Sequence, residues 1–116
     1  MALGTSKTHE FFIATTATGN SSSPTSVRGY EFAEFEVSGL TVNNMSSRLR
    51  VLGSLYGTTF TTVTVVNRIT NTASDSMITN GIYSLDLGGI GFINVRLVNY
   101  HQDSTPTVVM QTVNYI

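Results

Sequence analysis

The sequence contains no cysteine and no tryptophan, has two prolines, and only 11% of its 116 residues are charged. The absence of cysteine excludes a disulfide scaffold, a thiolate metal site and a thiol nucleophile. The formal net charge of -1 leaves too little positive charge for general binding to a phosphate backbone. No apolar run is long enough for a membrane span, and no signal peptide is visible. We therefore expect no nucleic-acid partner, no membrane partner and synthesis in a host cytoplasm.

Small hydroxyl and β-branched residues are what the chain has in quantity. Ser and Thr fill 31 positions, and 41% of the residues are hydrophobic, so the chain has enough apolar residues to fold. Side chains branched at Cβ lose rotamer freedom in helices and pack well on pleated sheets. The length suits one domain. The composition therefore predicts a single all-β domain.

Apolar and polar residues alternate along most of the chain, between stretches of Gly, Asn, Asp, Ser or Pro. The alternation predicts strands over residues 9–17, 27–38, 46–56, 58–69, 82–87, 91–100 and 107–116. A change of parity within the second strand predicts a bulge near Ala33. Seven or eight short strands predict an antiparallel, jelly-roll-like β-sandwich over residues 9–116, preceded by an extended arm over residues 1–8.

Charged residues suggest a register for two of these strands. Glu34 and Glu36 alternate along one strand, and Arg48 and Arg50 alternate along the next. If the two strands pair antiparallel about residues 39–45, Glu36 faces Arg48 and Glu34 faces Arg50, an arrangement that stabilises a sheet. The same register predicts that four apolar side chains are buried: Phe35, Val37, Leu49 and Val51.

The residue pattern gives little support to a catalytic or metal site. His9 and His101 each have one nearby acid, whereas a metal site needs three or four converging ligands. No G-x-S-x-G motif is present to position a serine nucleophile. Neither a lysine nor a helix follows the glycine-rich segment 88–91, which favours a turn over a phosphate loop. We expect no enzyme activity, no metal and no cofactor.

Tyrosines near the predicted strand ends offer another kind of site. Tyr56 and Tyr100 would lie at the rim of the sandwich, where an aromatic ring can stack on a sugar. Tyrosines at such positions also serve as ordinary edge packing. Tyr56 and Tyr100 are therefore candidate glycan-binding residues, with edge packing as the alternative.

The first eight residues have few groups with which to order themselves. Ordering a residue costs about 1–2 kcal/mol, and burying two apolar side chains at roughly 2 kcal/mol each does not offset that cost. Strand addition to a neighbouring sheet would supply the missing hydrogen bonds. We therefore predict that the arm contacts a different polypeptide through Met1, Ala2, Leu3, Gly4 and Thr5.

Three segments follow one another in the second half of the chain: GSLYGTTF at 53–60, GIYSLDLGG at 81–89 and INVRL at 93–97. They resemble, in the same order, the motifs G-S-x-D-G-T-x-W, G-x-Y-x-V-D-V-x-G and x-V-R-V of small β-sandwich modules of tailed-bacteriophage virion proteins. The resemblance covers roughly residues 46–116. Tyr56 stands where those modules have an acid, and Phe60 where they have a tryptophan. A ligand-binding role of that acid or tryptophan would be absent here.

The resemblance implies a non-enzymatic structural module of a virion. Within that class we expect a capsid decoration (cement) protein, bound to the major capsid protein on the capsid exterior as a homo-oligomer such as a trimer. The alternative is a tail, fibre or adaptor module that binds a host-surface glycan. A high copy number per particle would indicate decoration, and a low one a tail component.

Overall fold

Strands account for the alternating pattern of the sequence. The computed structural model describes residues 3–11, 23–40, 48–99 and 106–115, and these residues form no helix. Their strands are β1 (Leu3–Phe11), β2 (Thr25–Ser26), β3 (Phe32–Ser38), β4 (Arg48–Ser54), β5 (Thr61–Thr62), β6 (Val65–Asn67), β7 (Thr72–Ser74), β8 (Gly81–Asp86), β9 (Phe92–Asn99) and β10 (Thr107–Tyr115). All the strand pairs are antiparallel.

The strands form two sheets. One has six strands in the order β1-β10-β3-β8-β6-β7, and the other has four in the order β2-β9-β4-β5. The predicted strand 58–69 is divided, since β5 belongs to the four-stranded sheet and β6 to the six-stranded sheet. Residues 70–76, expected as a loop, contain β7. The chain is an all-β, antiparallel β-sandwich, as the sequence predicts.

The core lies between the two sheets. In β3 every second residue is buried, and in β4 the same parity continues through Leu49 and Val51. Phe35, Val37, Leu49 and Val51 are each at most 2% exposed, which confirms that part of the prediction. Full burial of such side chains stabilises the fold by about 1.5–3 kcal/mol each.

The predicted charge register is wrong. β3 pairs with β10 and β8, whereas β4 pairs with β9 and β5. Glu34 and Glu36 therefore lie on a different sheet from Arg48 and Arg50. β3 and β4 each have one apolar face and one face with charged residues. The alternation is therefore equally satisfied when the two apolar faces meet across the core and the charged residues lie on opposite outer surfaces.

The predicted bulge near Ala33 is also wrong. β3 pairs with both neighbours without a register shift. The apparent change of parity arises because Tyr30 precedes the strand and Phe32, at 40% exposure, lies on its outer face.

Residues 3–8, expected as an extended arm bound to a different polypeptide, are part of an edge strand. β1 pairs with β10 of the same chain from Leu3, opposite Tyr115, to Phe11, opposite Val108. Gly4 and Thr5 lie in this strand, whereas Met1 and Ala2 lie outside the described residues. Backbone hydrogen bonds within the domain thus order residues 3–8, so a second polypeptide is not needed to order them.

Lys7 ties this edge strand to the second sheet. Its Nζ donates to Thr25 Oγ1 at 2.9 Å and to the Ser26 carbonyl oxygen at 2.8 Å, both in β2. The buried Thr112 hydroxyl donates to the Lys7 carbonyl oxygen at 3.3 Å. The beginning of β1 therefore helps to close the sandwich along one side.

Candidate functional site

A glycine-dependent turn forms the rim at one end of the four-stranded sheet. It spans residues 55–59, between β4 and β5, where the predicted strands 46–56 and 58–69 adjoin. Gly57 has a φ of 88°, a left-handed conformation that favours glycine. Its backbone N–H donates to Ser54 Oγ at 2.8 Å. A Cβ added at Gly57 would lie 3.3 Å from the ring of Phe92, so space as well as conformation favours glycine here.

A second glycine brings another backbone segment against this turn. A Cβ on Gly91 would lie 2.5 Å from the Leu55 carbonyl oxygen, so no larger residue fits without movement of the backbone. The Gly91 N–H donates to the Ser54 carbonyl oxygen at 2.9 Å. Arg28 Nη2 donates to the Leu55 carbonyl oxygen at 3.1 Å, and the guanidinium lies 5.3 Å from the centre of the Phe92 ring. The turn is therefore held in place by the fold itself.

A pocket of about 380 Å³ lies beside this turn. Gly53 keeps the floor of the pocket open. A Cβ at this position would lie 3.0 Å from Val63 Cγ1 and 3.3 Å from Ile90 Cδ1, so a larger residue would crowd the floor. Leu55 and Tyr56 stand exposed at its rim, 59% and 76% accessible. Threonines supply hydroxyl groups to the lining: Thr58, Thr59 and Thr61. Apolar walls with a few polar groups are typical of small-molecule sites. We call this cavity the rim pocket.

The sequence prediction identified one residue of the rim pocket. Tyr56 lines it, and its role as a glycan-binding residue stays a prediction, whereas Tyr100 lies outside the described residues. The apolar lining residues Leu55, Val63 and Ile90 were missed. The glycines at 53 and 91 were the available signal, but only the fold brings the two segments together.

The histidine candidates do not converge with their acids in the described structure. His9 packs edge-on against Phe11, with the ring centres 4.7 Å apart, while Glu10 is exposed on the other face of β1. His101 and Asp103 lie outside the described residues. Within the described ranges no group of three acids or histidines could hold a metal ion, and no helix is long and apolar enough to cross a membrane.

The outer face of the four-stranded sheet carries arginines. Arg48 and Arg50 in β4 and Arg96 in β9 alternate with buried neighbours, and Arg50 lies directly opposite Arg96. The four strands of this sheet contain no Asp or Glu. Arg50 Nε donates to Ser76 Oγ at 3.5 Å. We call this surface the arginine face.

The outer face of the six-stranded sheet carries acids. Its strands present four exposed carboxylates, namely Glu10, Glu34, Glu36 and Asp86. Within the described residues the single ion pair joins Glu34 to Arg68 at 3.4 Å, and both side chains are about half exposed. A groove of about 330 Å³ crosses this surface, lined by Thr8, Glu34, Glu36, Ile82, Val109 and Gln111. We call the surface the acidic face.

Comparison with known proteins identifies the fold. No protein-family model matches the sequence, and no curated protein matches it. The structure of SPBc2 prophage-derived protein YomS aligns with a TM-score of 0.74 at 14% identity, over 98% of this chain and 99% of YomS. The structure of PBSX exported protein XepA aligns with a TM-score of 0.72 at 17% identity, over 98% of this chain.

The chain has the full length of YomS but spans 40% of XepA. At these identities the similarity establishes a shared fold. The chain is thus an antiparallel two-sheet β-sandwich of a kind that also occurs in phage-derived proteins.

Proposed function

We propose that this chain is a non-enzymatic structural accessory protein of a bacteriophage particle, and specifically a capsid decoration protein that binds the major capsid protein as an oligomer. The observation that carries the proposal is the sandwich shared along the whole length of a prophage-derived protein. The resemblance of residues 46–116 to virion modules supports the same class independently of that comparison.

The surfaces of the sandwich suit protein contacts. β1 lies at the edge of the six-stranded sheet, and within the described residues no strand pairs with its other side. An open edge offers backbone groups for strand addition by a neighbouring chain. The arm contact predicted from the sequence is therefore kept in a modified form: β1 belongs to its own domain and presents its outer edge to a capsid subunit.

The experiment is a copy-number measurement on purified particles from cells that carry the gene. Quantitative mass spectrometry gives the ratio of this chain to the major capsid protein. We expect a ratio of the same order as that of the capsid subunits, because decoration follows the repeat of the shell. A ratio typical of a tail component would instead support the second candidate, and absence of the chain from particles would overturn both.

The second candidate is a tail or fibre module that binds a host-surface glycan. The rim pocket favours it, because an exposed tyrosine ring stands beside threonine hydroxyls over an apolar floor. Such rings pack against sugar C–H groups while hydroxyls form hydrogen bonds. A glycan array with the purified chain tests it: Tyr56→Ala should abolish binding, while Tyr56→Phe, which retains the ring, should keep most of it. Equal binding by Tyr56→Ala would remove the pocket from consideration.

A further inference from the structure

The two outer faces of the sandwich have opposite charge although the chain as a whole is nearly neutral. The arginine face holds three arginines on strands without an acid. The acidic face holds four carboxylates and, within the described residues, Arg68 as its one basic partner. Arg68 follows the end of β6, and Lys7, the one lysine or arginine within the described strands of this sheet, reaches across to the second sheet. The charges on the described strands are therefore separated by sheet, while the exposed Asp75 lies outside the strands, next to Ser76.

We propose that copies of this chain bind one another face to face, with the arginine face of one copy on the acidic face of the next. This deepens the oligomeric part of the proposed function, on which it rests, because it names the two surfaces by which copies of the chain associate. Complementary potentials steer such an encounter and fix its register.

The shapes of the two faces agree with this arrangement. The groove on the acidic face is lined by both Glu34 and Glu36 and offers carboxylate oxygens to an incoming guanidinium, the group that pairs best with them. Two exposed apolar side chains, Phe32 and Ile82, lie on the same face. They would add apolar contact to the ionic one. On the other copy, Arg50 and Arg96 lie side by side and could enter the groove together.

The contact uses a different surface on each partner, so it is heterologous. A heterologous contact propagates and closes into a ring or continues as a stack, according to the rotation between copies. Each added copy brings Arg50 and Arg96 close to carboxylates, which removes the repulsion that the two arginines experience in a single copy. The separation of charge thus suits a chain that associates with copies of itself, whereas a domain that acts alone would not need it.

Charge-swapped variants of the full chain test this by sedimentation velocity at about 0.05 M and about 0.5 M NaCl, since screening is much stronger at the higher concentration. Arg50→Glu with Arg96→Glu leaves both faces acidic, and Glu10→Arg with Glu36→Arg leaves both faces basic. We expect wild-type chains to associate at low salt and to separate at high salt. Each double variant alone should self-associate at least about 100-fold more weakly, because like charges then meet.

The decisive measurement is made on a mixture of the two double variants. Their faces are complementary again, so the mixture should assemble at low salt; this recovery also shows that both variants are folded. Glu31→Arg, an exposed change outside the strands, is the control and should behave as wild type. Any one of three results would overturn the proposal: the wild-type chain is a monomer at low salt, its oligomer is unaffected by salt and by charge reversal, or the mixture of variants stays monomeric. None of these results bears on whether the chain is present in phage particles, so the two proposals fail separately.

Discussion

Arg50 and Arg96 lie directly opposite each other on neighbouring antiparallel strands, β4 and β9. Like charges at opposed positions destabilise a sheet, and the strands of this sheet contain no acid that could separate them. The pair therefore contributes little to the stability of a single copy. This placement is the reason for our proposal that the arginine face contacts the acidic face of a second copy.

The first prediction concerns Arg50 itself. Arg50→Ala should change the free energy of unfolding by less than about 1 kcal/mol, because a partly exposed charged side chain contributes little and its opposed neighbour repels it. The long hydrogen bond to Ser76, at 3.5 Å, adds little. Urea denaturation at low salt measures the change. A loss well above 1 kcal/mol would show that Arg50 is a structural residue of the domain.

The core predicts the opposite outcome for a neighbouring position. Leu49 is fully buried between the sheets, so Leu49→Ala should destabilise the domain by roughly 2–5 kcal/mol through the lost transfer energy and the cavity left behind. Leu55→Ala is the matched control, since Leu55 is mostly exposed and its loss should cost under about 0.5 kcal/mol. Equal effects of the two substitutions in thermal unfolding would contradict the described packing.

The close contact between Gly91 and the turn at residues 55–59 leads to a steric prediction. Gly91→Ala places a Cβ 2.5 Å from the Leu55 carbonyl oxygen, a backbone atom, and should destabilise by about 1–3 kcal/mol through overpacking. Gly53→Ala meets Val63 Cγ1 at 3.0 Å, and that side chain can shift, so the loss should be smaller. Reversal of this order in denaturation experiments would show that the turn is not clamped as described.

Lys7 makes a prediction about the beginning of the chain. Lys7→Ala removes two hydrogen bonds from a charged donor to β2 and should cost about 1–3 kcal/mol. Thr8→Ala, on the exposed side of the same strand, should change stability by less than about 0.5 kcal/mol. If the two variants unfold alike, the link between the sheets contributes nothing.

Deleting residues 1–8 extends that test. The deletion removes most of β1 and exposes the edge of β10, so the melting temperature should fall and the chain should aggregate more readily. An arm outside the sandwich would behave differently, because its removal would leave the melting temperature unchanged. An unaltered melting temperature would therefore support the separate, partner-bound arm that the sequence predicts and contradict the paired strand.

Alternation along the chain was enough to predict the class of fold and the buried positions at Phe35 and Leu49, because one apolar face is needed whichever strands are neighbours. It could not say which strands pair. Their positions along the chain fit a register that places Glu34 opposite Arg50, yet the two residues lie on different sheets. Strand pairing depends on contacts between residues that are distant in sequence. The rim pocket was predictable only at Tyr56, where an aromatic residue follows a strand. The floor of the pocket forms where the segments near residues 53 and 90 meet in the fold, and no local sequence pattern predicts that contact.

The central claim is that this chain is a structural protein on the surface of a phage shell. Cryo-electron microscopy of particles made with and without its gene tests that claim most directly, through the difference between the two reconstructions. We predict repeated density the size of one β-sandwich on the outside of the capsid, present with the gene and lost without it. Identical reconstructions of the shell, or density confined to the tail, would contradict the account.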